Sequence, residues 1–557
     1  MAGGHGGGTA MAAGTGTGRI RGGLGARGVC AAVLAAALAA AGCSAPGTDP
    51  DVTLRILAGS EIADLEPLLE EAGERTGVTV ELEYTGTLDG MARIASGDRR
   101  GEGGEYDAVW FASNRYLNLD GDGRSAVHEE TPVMVSPVVL GVAADRAREL
   151  GWDGGAEVTW SDVHRAVVEE ELVYGMTNPG ASNSGFSALI GVASALADTG
   201  AALRSEDVER VGPELAEFFA GQEVTAGSSG WLTDAFVRRA ESDRPVDGLV
   251  NYESVILSLN ASGALEEPLT VVYPADGVVT ADYPLTLLSD PSEQALDGYE
   301  RLVGDLTSEG TQQQIADRTW RRPVTAGAEL SPPVPPLVEL PFPASREVVD
   351  GLVADYSASL RRPARTVYVL DVSGSMEGDR LAELQSALGA LTGADGGSLA
   401  RSTQAFQERE VVTLLPFSTW PADPRTFVVE TGSVDEVNAD LSAAVEELEA
   451  EGDTAAYDAL VRAYELLESD TGSDGEPLMS VVLMTDGEVN RGVGLEGFRE
   501  SLAARSESVA RVPVFTVLFG ESDVPEMTEL AELTGGRVFD AREQDLEQVF
   551  REIRGYQ

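Results

Sequence analysis

The 557-residue sequence contains no lysine: all 39 of its basic residues are arginine. That absence excludes a P-loop, a pyridoxal Schiff base and a Ser–Lys hydrolase, each of which needs a lysine amine. Histidine is nearly absent too. His5, His128 and His164 are too few for a histidine-rich zinc site. The only cysteines, Cys30 and Cys43, provide no disulfide framework. Positive charge is also scarce. With 39 basic against 93 acidic residues the net charge is −54, the wrong sign for a binder of nucleic acid or anionic lipid headgroups. Missing lysine fits GC-rich codon usage, and it fits salt adaptation, because a carboxylate-rich surface stays hydrated in brine. No nucleophile–base pair or redox-cofactor motif is visible, so the sequence points to binding rather than to an enzyme. The 43% apolar and 24% charged content is that of a folded chain, and the length allows two or three domains.

Residues 1–42 read as a signal segment. Arg19, Arg21 and Arg27 precede an apolar run from Val29 to Ala41, too short for the roughly 20 residues a membrane span needs. The run ends Leu38-Ala-Ala-Ala-Gly42-Cys43, with Ala40 where a leucine is usual. This resembles a bacterial lipobox, which implies lipidation at Cys43 and a mature protein anchored on the outer face of the cytoplasmic membrane. An ordinary secretory signal is the alternative. Residues 43–52 are a linker.

Residues 53–330 alternate strands and helices. Leu54–Ala58 reads as a strand, Ile62, Leu65, Leu68 and Leu69 share a helix face, and Val78–Tyr84 and Tyr106–Phe111 are further strands. This βαβ rhythm implies parallel sheets with ligand sites at strand C-termini. The order of Ala58-Gly-Ser60, Val109–Asn114, Met134–Gly141, Thr177–Gly185 and Val272–Gly277 resembles the type 2 periplasmic solute-binding proteins. The resemblance implies two lobes closing over a small solute, with Ser60, Ser113, Ser182, Ser184 and Tyr252 as candidate ligand-binding residues. Ser60, Ser182 and Ser184 stand where helices begin, so they suit an oxyanion and equally suit helix caps. Asn118 to Glu129 matches the spacing of a calcium loop, but Asn118 replaces the first Asp and Ser125 takes an apolar position. We read it as incidental.

Residues 331–363 begin with a proline-dense stretch, Ser331–Pro343, expected to be a semi-rigid spacer. A short helix from about Arg346 to Leu360 follows. Residues 364–557 then read as a doubly wound α/β domain. Thr366–Leu370 is an apolar strand of the buried parallel kind, and helices near Arg380–Leu391 and Val434–Leu448 alternate with strands near Glu410–Leu415, Val481–Thr485, Val512–Phe519 and Gly536–Phe539.

Asp371-Val-Ser373-Gly-Ser375, then Thr454, then Asp486-Gly, resembles the metal-ion-dependent adhesion site of von Willebrand factor A domains. The resemblance implies a Rossmann-like fold in which Asp371, Ser373, Ser375, Thr454 and Asp486 surround one cation. The donor chemistry agrees: five oxygen-bearing groups, without thiol or imidazole, select a hard ion, Mg2+ with Mn2+ or Ca2+ as substitutes. Two carboxylates and three hydroxyls leave a coordination position open, which in the family a partner's Glu or Asp fills. The expectation is a surface lipoprotein that binds a protein partner through this metal, with the middle domain as receptor or scaffold. The alternative is the receptor of an ABC-type importer, its last domain an assembly handle.

Overall fold

The computed structural model describes residues 52–556 apart from 102, 241–244, 393–404, 470–476, 488, 520–523 and 543–545. The expected signal segment, Cys43 and all of the expected 43–52 linker except Val52 lie outside the described residues. Among the described residues no helix is long and apolar enough to cross a membrane.

Two sheets organise residues 52–323. The first runs in the order Val78–Thr85, Val52–Gly59, Ala108–Trp110, Pro284–Leu288, Val127–Pro132. Its first three strands are parallel, and Pro284–Leu288 pairs antiparallel with the strand on each side of it. The second is built around Met134–Val142, flanked by Thr270–Val272 and by Gly248–Tyr252, Tyr174–Thr177 and Gln222–Ala226. The chain passes from one sheet to the other at Val133 and returns at Asp282-Tyr283, which creates two lobes with adjacent crossings. Tyr283 sits at the return with φ 41°, a left-handed backbone that is strained for an aromatic residue.

The proline-dense stretch is not a free spacer. Val278 donates its N–H to Val338 O (2.9 Å) and Leu340 donates to Val278 O (2.8 Å). Glu339 pairs with Arg115 at 2.5 Å, and Phe342 meets Phe186 with 6.3 Å between ring centroids. Proline removes its own donors, but the intervening Val338, Glu339, Leu340 and Phe342 keep groups that the neighbouring surface satisfies. Helix Arg346–Asp355 then buries Val348, Val349, Leu352 and Val353 in the same core as helix Asn183–Ala197.

The last sheet has the order Arg425–Val428, Glu410–Phe417, Ala364–Asp371, Leu478–Thr485, Val514–Leu518, Arg537–Asp540, parallel except for its first, edge strand. Ala364–Asp371 is buried at every position, as a central parallel strand with both faces covered must be. The expected helices are present, as Asp379–Ala390 and Val434–Glu446. Helix Ala456–Ser469 begins only after residues 451–455, which are drawn into the loops above the sheet.

Residues 546–556 close the chain against the second lobe. Tyr556 stacks on Phe515 at 4.5 Å and meets Trp231 at 3.9 Å between centroids. Thr225 Oγ1 donates to Gly555 O at 3.1 Å. Gly227 and Gly555 touch backbone to backbone: a Cβ on Gly555 would lie 2.3 Å from Gly227 Cα, so glycine is required there. One apolar cluster joins Leu232, Phe236 and Leu249 of the lobe to Phe515, Val549, Phe550 and Ile553.

Candidate functional site

The C-terminal sheet carries its acids at one edge. Asp371 ends its strand opposite Phe417, and Asp486 follows directly on Thr485, the end of the neighbouring strand. Parallel neighbours bring these ends together, and both carboxylates are fully buried at residue level. Asp371 Oδ1 accepts the Ser373 N–H at 2.9 Å, and Oδ2 accepts the Thr485 hydroxyl at 2.6 Å. Ser373 Oγ and Ser375 Oγ are 3.0 Å apart, so both hydroxyls point into one space. Thr454 is held there from two sides. Gly374 donates to Gly452 O at 3.0 Å, and Asn490 Oδ1 accepts the Thr454 N–H at 2.9 Å. The sequence-expected residues Asp371, Ser373, Ser375, Thr454 and Asp486 thus lie on three loops bonded to one another.

Burial pushes the Asp371 carboxyl up to about 6, and the charge of Asp486 adds to the rise. A buried carboxyl whose ionised form is disfavoured suits a cation beside it. Sequence reasoning missed Arg380, whose Nη1 donates to Asp486 Oδ2 at 2.7 Å and to Ser375 O at 3.1 Å. A guanidinium is itself a cation against this carboxylate. Five oxygen-bearing groups with only two carboxylates also explain why no cluster of three or more His, Cys, Asp or Glu ligands occurs among the described residues. This donor set suits a hard divalent ion.

The second candidate site lies at the lobe crossings. Ser184, at the start of helix Asn183–Ala197, shares hydrogen bonds with Thr177 Oγ1 (2.7 Å), Ser182 Oγ (3.2 Å) and Ser229 Oγ (2.8 Å). Ser182 occupies the cap position but makes no side-chain cap bond, which frees its hydroxyl for Ser184. Asn183 Nδ2 donates to the Tyr252 hydroxyl at 2.8 Å, and the Tyr252 and Tyr283 rings are 6.0 Å apart. Ser182, Ser184 and Tyr252 therefore gather. Ser113 accepts a long bond from the Arg115 N–H (3.3 Å), and Ser60 is exposed; neither is bonded to this group. Four residues were not anticipated from sequence. Arg321 lies 4.9 Å from the Tyr283 ring centroid and pairs with Asp64 at 2.6 Å. Burial pushes the Glu61 carboxyl up, and the buried hydroxyls of Thr87 and Tyr283 have no hydrogen-bond partner. Only Thr87, at a helix start, carried a local signal.

The calcium-loop match dissolves in three dimensions. Asp120 caps the short helix Gly121–Ser125 by accepting the Asp122 N–H at 2.9 Å, and it pairs with Arg346. Asn118 turns to Glu130.

Sheet order and crossings define a two-lobed binding fold joined to a doubly wound domain with an acidic strand-end site. Residues 54–318 match the family described as bacterial extracellular solute-binding protein, and residues 367–552 match the von Willebrand factor type A domain. The chain carries both domains. No curated protein matches it. Similar solved structures include the periplasmic binding protein AfuA from Actinobacillus pleuropneumoniae, solved with fructose-6-phosphate bound. It is 12% identical with TM-score 0.43, over 55% of this chain and 97% of that one. The ferric binding protein from Campylobacter jejuni is 13% identical with TM-score 0.40, over 54% and 98%. Iron-bound HitA from Pseudomonas aeruginosa is 13% identical with TM-score 0.39, over 55% and 99%.

Proposed function

We propose that this chain is a binding protein of the bacterial cell surface whose C-terminal domain grips a partner protein's carboxylate through a divalent cation. Asp371, Ser373, Ser375, Thr454 and Asp486 would hold the ion, Mg2+ first and Mn2+ or Ca2+ as substitutes. The observation that carries this reading is the pair of buried strand-end carboxylates facing the Ser373 and Ser375 hydroxyls. When bound, the cation supplies a Lewis-acidic position that an external Glu or Asp can occupy. The chain's own groups fix its geometry: Thr485 and the Ser373 N–H orient Asp371, and Asn490 fixes Thr454. Lipidation at Cys43 would anchor the molecule outside the cytoplasmic membrane. The test is thermal unfolding of the full chain in EDTA and after addition of Mg2+ or Mn2+, beside Asp371→Ala. A rise in Tm that the variant lacks is expected; an equal response from both proteins contradicts the assignment.

A second reading is a solute receptor for a membrane importer, favoured by the buried Thr87 hydroxyl without a hydrogen-bond partner and by the Tyr283 hydroxyl, whose ring lies 4.9 Å from Arg321. Buried polar groups without partners cost stability unless a ligand satisfies them. A small polar solute that raises Tm in the wild type but not in Tyr283→Phe supports it.

A further inference from the structure

Trp420 is the most exposed large apolar side chain among the described residues, at 63%. It lies in the turn that leaves strand Glu410–Phe417, the strand paired with the one ending in Asp371. That turn is built into the candidate metal site. Val372 donates to Phe417 O at 2.8 Å, Ser418 to Trp420 O at 3.2 Å, and Ala455 to Ser418 O at 2.9 Å. Thr419 Oγ1 accepts the Asp453 N–H at 3.0 Å. Arg491 comes from the loop after Asp486, where its N–H donates to Thr454 O at 3.3 Å. Its guanidinium lies 4.7 Å from the Trp420 ring centroid and pairs with Asp453 at 3.4 Å. Val493, two residues on, is 40% exposed. Indole and guanidinium thus form one platform, tied by backbone bonds to Thr454.

An exposed tryptophan held in place is a costly surface unless something covers it. Both arginines at the mouth of the site are paired, Arg491 with Asp453 and Arg380 with Asp486, so the platform presents an ion pair beside the indole rather than free positive charge. What the exposed indole is suited to receive is an apolar side chain next to the acid.

We propose that the Trp420–Arg491 platform reads the residue beside the metal-bound carboxylate, selecting a partner segment in which an acid adjoins an aromatic or large aliphatic side chain. The acid engages the cation and the apolar neighbour lies against the indole. This inference rests on the cation reading above.

The test is selection of a randomised displayed peptide library on the full chain in Mg2+ and in EDTA, for wild type, Trp420→Ala and Asp371→Ala. The wild type should enrich acid–aromatic and acid–aliphatic pairs in Mg2+ only. Trp420→Ala should keep the acid but lose the apolar preference, binding selected peptides roughly fivefold more weakly, the worth of one aromatic contact. Its calorimetric Mg2+ affinity should match wild type, which shows an intact site. Enrichment of acids with no neighbour preference in the wild type overturns the platform while leaving the cation reading standing. Absence of Mg2+-dependent enrichment overturns both. Self-association of the wild type that Trp420→Ala abolishes overturns it as well, by assigning the face to a second copy.

Discussion

Asp371 carries opposing demands. Its carboxyl is buried beside another acid, so without a cation its ionised form is disfavoured and its folded value, about 6, lies above the ordinary 3.8. The folded chain therefore holds an extra proton between those values. Stability in EDTA should fall as pH rises through that window, and the loss is complete above about 6. Asp371→Asn removes the proton exchange and keeps the shape. Denaturant titrations at pH 7 in EDTA should find it more stable than wild type by about 2–3 kcal/mol, with the difference shrinking toward pH 4. Arg380 acts on the same site as a competing charge. Arg380→Met should tighten Mg2+ binding on the order of tenfold, read by calorimetry at low salt, because one positive charge beside Asp486 is removed.

Elements show what can be read locally. Thr366–Leu370 and Val481–Thr485 are apolar runs ending in acids, and a buried strand that stops at an aspartate places it at a sheet edge. Asp371 and Asp486 were legible as strand-end acids for that reason. Ser373, Ser375 and Thr454 needed the resemblance as well. Arg380, Trp420 and Arg491 were not legible, because their meaning lies in contacts between loops separated by up to about a hundred residues. The strap 331–343 illustrates the same limit: composition announces an extended chain but not the surface it lies on. Glu410 shows an element held by long-range charge. Burial alone would push its carboxyl up, but Arg554 and Arg361 hold it below the ordinary range. That stabilisation is present above the ordinary value of 4.5 and is lost as pH falls through the lower folded value. Glu410→Gln leaves two buried guanidiniums without their acid and should cost roughly 3–5 kcal/mol in urea unfolding at pH 7. A smaller loss than 1 kcal/mol would mean that water reaches the pair.

For the whole molecule, the consequential feature is the shared core between the second lobe and the C-terminal domain. Trp231, Phe515 and Tyr556 form one aromatic group across that seam. A cation bound at the strand ends should therefore raise the unfolding of both domains together. Trp231→Ala, which removes one ring from the seam, should weaken this coupling and move the calorimetric transition toward two peaks, with only one responding to Mg2+. Net charge acts at this scale too. Repulsion between the acidic chain and an acidic partner should make association faster as salt is added, until screening within about 10 Å is complete.

The most direct measurement is calorimetric titration of the full chain with Mg2+ at neutral pH, wild type beside Asp371→Ala. One ion per chain, with binding abolished in the variant, is the result expected. No binding by the wild type, or undiminished binding by the variant, would contradict the metal-dependent grip on which the functional reading depends.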